Sequence, residues 1–222
     1  MKHPDPDSGV SRETTLSEAW IEGARTLTGS PIDPLAVARL ERYATFLGTE
    51  GVAAGGLGPL EAGRLLDRHL ADSLAFGSFL PSVPFDAVDV GSGLGLPGIP
   101  LAVVYPESSW ILLDRSGRRC RLMRRAVRIL ELEGVDVIES DVDHIARSFD
   151  VVTFRASLQL PDAADAFRRL SKPDGVGIFA LSRRPDRPRV DADAFPAVDM
   201  DLEAVEHAIL DSPAWFLRMR AT

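Results

Sequence analysis

Apolar residues recur every three to four positions through the first third of the chain, a spacing that predicts helices with one buried face. The clearest run consists of Val37, Leu40, Tyr43, Ala44 and Leu47. Ser17 and Asp33 stand near the starts of a first and a second helix, and both residue types cap helix N-termini. We expect a glycine-rich loop over 48–58 and a third helix over 59–80.

Beyond Pro81 and Pro84 the pattern changes to short apolar runs separated by helical stretches. The runs that predict strands are Ala87–Val90, Trp110–Asp114, Val135–Glu139, Asp150–Phe154 and Val176–Leu181. The segments between them that predict helices or short turns are Gly98–Tyr105, Gly117–Glu133, Asp141–Arg147 and Ala156–Ser171. Residues 172–175 predict a turn before the fifth strand, and the tail adds strand candidates at Ala197–Ala204 and Ala214–Arg220. This alternation predicts an α/β fold with a parallel, doubly wound sheet and right-handed crossovers.

The change of pattern divides the chain into a flexible N-terminus over 1–15, a helical N-terminal extension over 16–80 and a sheet-containing domain over 81–222. At 222 residues, with 45% hydrophobic and 26% charged positions, the chain can bury a core of ordinary globular composition. It has no apolar run near the roughly 20 residues of a membrane-spanning helix. The polar N-terminus does not resemble a signal peptide. Cys120 is the single cysteine, which excludes a disulfide framework and a cysteine-based metal site. We therefore expect a cytoplasmic monomer with neither a membrane partner nor a metal.

Charge is unevenly distributed along the chain. The net charge of −8 argues against a generally basic nucleic-acid binder. Residues 115–128 nevertheless hold seven arginines and no acid, whereas 186–211 is acid-rich. A single helical stripe would carry Arg118, Arg121, Arg125 and Arg128. Such a stripe suits RNA phosphates if it faces the active site, and it is otherwise the solvated face of a helix that flanks a sheet.

A glycine-dense turn follows the first predicted strand and opens a helix, with glycines at 91, 93, 95 and 98. Glycines allow a sharp turn and a close approach of the backbone to a ligand, and the helix N-terminus beyond them suits an anionic group. The turn fits an enzyme that uses S-adenosylmethionine (SAM), a dinucleotide enzyme or an ordinary crossover. A dehydrogenase is disfavoured because the spacing differs from G-x-G-x-x-G and no second substrate domain is evident.

Polar residues stand at the ends of the next predicted strands, where an open parallel sheet binds its ligands. Asp114 follows the glycine turn by about twenty residues and suits the two hydroxyl groups of a ribose, with a helix N-cap as the alternative. Asp141 or Asp143, beside Val142, suits an adenine amino group or a solvated cap. Arg155 stands at the pocket mouth as a partner for a substrate or a carboxylate, unless it is an ordinary surface arginine.

The run from Asp89 to Leu101, with its Leu-Pro-Gly at 96–98, resembles the RsmG (GidB) family. The resemblance extends over roughly 35–181, and its further matching segments are Asp67–Leu74, Leu112–Asp114, Gly117–Arg119, Phe149–Val152 and Arg155–Ala156. It implies a Rossmann-like SAM-dependent methyltransferase fold with an α-helical N-terminal extension. It also implies an activity, methylation of N7 of a guanine in 16S ribosomal RNA, and a partner, the small-subunit rRNA or the ribosomal subunit.

The resemblance implies a role for individual residues of this chain. Gly91, Gly93, Gly95 and Leu96 would line the SAM pocket, Asp114 would bind the ribose, and Val142 and Asp143 would hold the adenine. The pocket arginine would be Arg155. Together with Arg68 and His69 it is a candidate for the substrate side, and no residue is assigned a catalytic proton transfer. Guanine N7 carries a lone pair and no proton, so its methylation needs no general base.

The chain departs from the family pattern on the RNA-facing side. Phe154 stands where the family carries a serine, and Leu181-Ser182-Arg183 replaces a segment that holds a lysine. Two other functions therefore stay open. The chain is alternatively a methyltransferase for a small molecule or a protein, or a SAM-binding paralogue without catalysis.

Overall fold

The computed structural model describes residues 15–181, 183–191, 195 and 198–221. Nearly all of the N-terminus that the sequence predicts to be flexible, 1–15, lies outside the described residues, as does Ser182. No helix in the described part of the chain is long and apolar enough to cross a bilayer.

A seven-stranded sheet runs through the centre of the molecule in the order β3-β2-β1-β4-β5-β7-β6. Its strands are β1 (Asp86–Val90), β2 (Ser109–Asp114), β3 (Val135–Glu139), β4 (Phe149–Arg155), β5 (Ser171–Ala180), β6 (Val198–Val205) and β7 (Ala214–Ala221). The first five strands are parallel, and β7 pairs antiparallel with both β5 and β6. Their carboxyl ends therefore meet at one edge, which confirms the α/β doubly wound architecture predicted from the sequence.

Three helices connect the parallel strands: α4 (Gly98–Val104), α5 (Gly117–Ile129) and α6 (Leu160–Leu170). Two of them are at least four residues shorter than the sequence predicts. The helix expected to run to 133 ends at Ile129 because the chain turns at Glu131, whose φ is 53°. The helix expected from 156 begins at Leu160, since Ala156 has a φ of 51° and the extended Gln159 precedes a proline in the first turn.

The helical extension begins with α1 (Glu18–Thr28) and α2 (Pro34–Phe46). Ser17 and Asp33 cap these helices as predicted, because their side chains accept the Trp20 and Ala36 N–H groups. The loop expected over 48–58 is wrong in its first half, since the backbone continues as a π-helical turn and stays helical to residue 53.

The single helix expected over 59–80 is also wrong, because four short elements take its place. They are a 3₁₀ turn (Pro59–Arg64), a π-helical segment (Leu65–Leu70), α3 (Ala71–Ala75) and a second 3₁₀ turn (Phe76–Phe79). Segments of π-helix are rare in proteins, and many of the known ones lie at functional sites. This segment carries Arg68 and His69, two of the substrate-side candidates.

Hydrophobic clusters cover both faces of the sheet. The extension shares one cluster with α4, α5 and the sheet, including Tyr43, Phe76 and Trp110. The other cluster lies under α6 and includes Phe154 and Phe167. Because the extension has its apolar side chains in the same core as the strands, it is packed against that face of the sheet.

The turn predicted at 172–175 lies within β5 as a bulge. Ser171 pairs with Phe149 and Val176 pairs with Val151, so four residues of β5 lie opposite a single residue of β4. Asp174 takes a φ of 64° there, a conformation that aspartate tolerates better than most residues.

Candidate functional site

The glycine turn after β1 is organised by Asp89, a buried carboxylate that is 1% exposed. Its Oδ2 accepts hydrogen bonds from the Ser92 hydroxyl and from the Gly98 N–H at 3.0 Å, and its Oδ1 accepts one from Thr153 Oγ1 at 2.9 Å. Burial raises the pKa of Asp89, and these three donors oppose that rise. No role for Asp89 is predicted from the sequence, although a lone acid between apolar strand residues is a signal of one.

Close contacts show why the turn requires glycine. Gly91 has a φ of 67°, and a Cβ there would lie 2.4 Å from Ser157 Cβ. Gly95 has a φ of 97°, and a Cβ there would lie 2.3 Å from Ile99 Cδ1. Tyr43 of α2 supports the same turn from beneath, because its hydroxyl donates to the Leu94 carbonyl at 2.8 Å.

A cavity of about 220 Å³ opens beside this turn at the carboxyl edge of the sheet, and it is lined in part by Gly91, Asp114, Asp141, Val142 and Ser157. Larger grooves lie elsewhere, one of about 920 Å³ beside β6 and one of about 760 Å³ near the opposite, amino edge. We take the smaller cavity as the candidate site, since ligands of open parallel sheets bind at the carboxyl ends of the strands.

Asp114 ends β2 and is fixed at the cavity wall. Its Oδ2 accepts the Gly93 N–H at 3.0 Å, and its Oδ1 accepts the Ser116 N–H at 2.8 Å. Arg119 Nε approaches Oδ1 at 3.4 Å. A carboxylate has about four lone-pair sites, so Asp114 retains acceptor capacity for two hydroxyl groups.

The two acids after β3 point to different places. Asp141 and Val142 line the cavity, as the sequence analysis allowed. The carboxylate of Asp143 instead forms an ion pair with Arg169 of α6 at 2.8 Å and is largely exposed. Asp141 is therefore the acid of this pair that faces the cavity, and the assignment of Val142 and Asp143 to the adenine stays a prediction.

Ser157 also faces the cavity, although no pattern in the sequence predicts it as a site residue. Its Oγ is buried and has no hydrogen-bond partner among the described residues. A buried hydroxyl without a partner is costly, so a polar group of a ligand in the cavity would satisfy it.

Arg155 follows the same edge but points away from the cavity. Its guanidinium donates to Ser73 Oγ at 3.3 Å and to the Arg68 carbonyl at 3.0 Å, and it lies 3.5 Å from Asp72. Burial lowers its pKa, and Asp72 and Asp89 counteract that shift. Arg155 therefore ties the end of β4 to the extension, while the next residue, Ala156, lines the cavity.

The remaining substrate-side candidates lie in the same region as Arg155. His69 Nε2 is 3.0 Å from Glu61 Oε2, and burial, followed by the charge of Arg155, lowers the pKa of the imidazole. Arg68 forms an ion pair with Asp211 in the β6–β7 loop. Gly93, Gly95 and Leu96 belong to the turn, but none of them lines the cavity.

The four arginines of the predicted stripe are all exposed on α5. Arg125 forms an ion pair with Glu50 of the extension. The other three, which have no ion-pair partner among the described residues, are Arg118, Arg121 and Arg128. No group of three metal-ligating side chains occurs within the ranges that the structure describes.

Comparison with known sequences identifies relatives of the chain. The model of the family described as GidB, rRNA small subunit methyltransferase G, matches residues 36–187. Three relatives are each called ribosomal RNA small subunit methyltransferase G. The one from Acidothermus cellulolyticus is 38% identical over 61% of this chain and 60% of its own. Those from Vibrio campbellii and Salinispora arenicola are 37% and 41% identical, over 62% and 68% of this chain and 63% and 64% of theirs. The matched regions thus span less than two thirds of each relative.

Solved structures share the fold at low sequence identity. MtNAS in complex with MTA and tNA superimposes with a TM-score of 0.55 at 18% identity, covering 92% of this chain and 71% of that one. A ribosomal protein L11 methylase from Lactobacillus delbrueckii subsp. bulgaricus gives a TM-score of 0.51 at 13% identity, covering 70% and 79%. At these identities the likeness concerns the fold alone.

Proposed function

Because the chain belongs to the GidB family, rRNA small subunit methyltransferase G, we propose that it transfers a methyl group from SAM to N7 of a guanine in 16S rRNA. The observation that carries the proposal is the cavity at the glycine turn, whose wall presents the fixed carboxylate of Asp114. The chain matches only part of its relatives' length, so the family's activity is assigned to it as a proposal.

The cavity residues fit a nucleoside in three respects. Asp114 has acceptor capacity for ribose hydroxyls, Asp141 for an exocyclic amine, and the buried Ser157 hydroxyl lacks a partner. A cavity of about 220 Å³ is smaller than typical whole-ligand pockets of roughly 300–1,000 Å³. We infer that it holds the nucleoside half of SAM, and that the methionine half lies along the turn of Gly91, Gly93, Gly95 and Leu96.

SAM supplies an electrophilic methyl group, and the protein's contribution is to position the guanine against it. Since N7 has a free lone pair, no side chain has to remove a proton. His69 is consistent with this mechanism, because its Nε2 is already paired with Glu61 Oε2. Holding the two reactants in line removes most of the entropic cost of their encounter.

We further propose that the division at residue 80 is functional. The extension over 16–80 would form the substrate-side wall, while 81–222 would hold SAM. The contacts of Arg155 with Arg68 and Ser73 support this arrangement, because they join the two parts at the carboxyl edge. We propose accordingly that the chain acts on small-subunit rRNA as a cytoplasmic monomer.

The cofactor site is tested by calorimetric titration with SAM. We expect Asp114→Ala to weaken SAM binding at least about tenfold, the effect of losing charge-assisted hydrogen bonds. Asp136→Ala on the neighbouring β3 is the matched control, since Asp136 is exposed and lies away from the carboxyl edge. Equal affinities for the two variants would contradict the assignment.

A further inference from the structure

Three arginines converge on one carboxylate beside the candidate site. Asp211, in the loop between β6 and β7, lies 2.9 Å from Arg64 Nη2 and 3.1 Å from Arg68 Nε, and it also contacts Arg183 Nη1. Asp72 lies behind them and contacts Arg183 and Arg155. Four guanidinium groups thus share Asp211 and Asp72, and Asp89 adds a third negative charge that acts on Arg155.

The donors of this cluster are not saturated by Asp211. The Nε atoms of Arg68 and Arg183 are buried and make no well-formed hydrogen bond within the described residues. The side chain of Arg183 is 5% exposed, whereas those of Arg64 and Asp211 are 42% and 35% exposed. Arg64, Arg68 and Arg183 therefore form an arginine cradle around Asp211. The cradle is open to solvent on the side of Arg64 and Asp211.

A phosphodiester group matches this cradle better than the carboxylate does. It carries the same single negative charge, so exchanging one anion for the other conserves the charge of the cluster. Its two free oxygens accept several guanidinium N–H groups at once, a geometry for which arginine is well suited. The cradle also lies beside the proposed methylation site, because Asp72 joins Arg183 to Arg155 at the end of β4.

We propose that Arg64, Arg68 and Arg183 bind one phosphodiester group of RNA, and that Asp211 occupies their site when RNA is absent. The inference rests on the proposed function, which makes RNA the source of the phosphate. Asp211 can leave by rotation of its side chain, since its neighbour Leu210 is buried and holds the loop in place. Burial opposes ionisation of Asp211, but Arg183 and Arg68 outweigh it and lower its pKa, so the carboxylate stays charged until it is displaced.

Binding of a fluorescein-labelled single-stranded RNA of mixed sequence, measured without SAM, tests this inference. Asp211→Asn empties the cradle of its competing charge, and we expect the dissociation constant to fall about tenfold. Asp199→Asn on β6 is the matched control, because it removes the same charge from the same hairpin and should change the constant by less than about twofold. An Asp211→Asn variant that binds no more tightly than this control overturns the proposal.

A second variant decides the question even if Asp211→Asn does not fold. Arg64→Gln alters an exposed side chain and should weaken RNA binding. The slope of the logarithm of the binding constant against the logarithm of the salt concentration should fall in magnitude by about one. Arg147→Gln, near the amino edge of the sheet, is its control, and equal slopes for the two variants overturn the proposal. A chain that binds RNA as expected but methylates no rRNA would contradict the proposed function alone.

Discussion

Asp89 links three parts of the chain through one side chain. Its hydrogen bonds reach the glycine turn at Ser92, the first residue of α4 at Gly98 and the middle of β4 at Thr153. These donors are buried together with the carboxylate, so each would lose its partner if the acid were removed. The shape of the glycine turn therefore depends on a residue that does not line the cavity itself.

We expect Asp89→Ala to lower the free energy of unfolding by about 3 kcal/mol, because it leaves several buried donors without acceptors. Asp89→Asn should cost less, since its amide oxygen can still accept the Ser92 and Gly98 bonds. Urea unfolding, analysed with one m-value for all variants, measures both changes in the free energy of unfolding. An alanine variant as stable as the wild-type protein would show that Asp89 does not hold the turn.

Gly91→Ala should abolish SAM binding and destabilise the fold, since the added methyl group combines a positive φ with a contact at 2.4 Å. Gly55→Ala is the matched control, because Gly55 has a φ of 68° and open space around it. The control should lose only the roughly 1 kcal/mol of backbone strain and keep its affinity for SAM. If both variants bind SAM equally well, the close approach at Gly91 does not shape the pocket.

Among the elements, α5 presents the most strongly basic exposed face. Charge reversal of Arg121 should weaken binding of small-subunit rRNA by roughly tenfold at low salt and leave SAM affinity unchanged. Arg168→Glu on α6 provides the comparison, since α6 packs with the other hydrophobic cluster of the sheet. Filter binding at two salt concentrations measures the effect, and equal losses for the two variants would show that RNA does not contact α5.

At the amino edge, Lys172 of the β5 bulge joins β1 to β4. Its ammonium group donates to Asp86 and Asp150 at 2.9 Å each. The bond from Lys172 lowers the pKa of Asp86. The pKa of Asp150 is also lowered, because its bonds with the Asp86 N–H and Lys172 outweigh the effect of burial.

These lowered pKa values mean that the ionised carboxylates stabilise the fold above about pH 4, and that this contribution disappears as the pH falls. Lys172→Met should therefore have a lower Tm than the wild-type protein near neutral pH, with the difference narrowing towards about pH 3. Arg168→Met, which removes an exposed pair with Asp165, should show a smaller difference. A constant difference for Lys172→Met across this range would contradict the assignment.

Across the whole chain, the sequence predicted the sheet and the glycine turn because both depend on local patterns. Short apolar runs separated by helical stretches define the strands. The glycines at 91, 93 and 95 are required by their own positive φ angles. The direction of individual polar side chains was not predictable in this way. A short 3₁₀ turn directs Asp143 towards Arg169, 26 residues away in sequence, and leaves Asp141 at the cavity. Likewise, Arg155 binds partners more than 80 residues away, which no local pattern encodes.

The central proposal is that this chain methylates guanine N7 of small-subunit rRNA. The direct measurement is transfer of radiolabelled methyl from SAM to small ribosomal subunits that lack the modification, followed by mapping of the label. We predict incorporation at a single guanine, located by chain cleavage specific to N7-methylguanine, and its loss with Asp114→Ala. Label that appears in a protein or a small molecule, or no transfer by a chain that binds SAM, would contradict the claim.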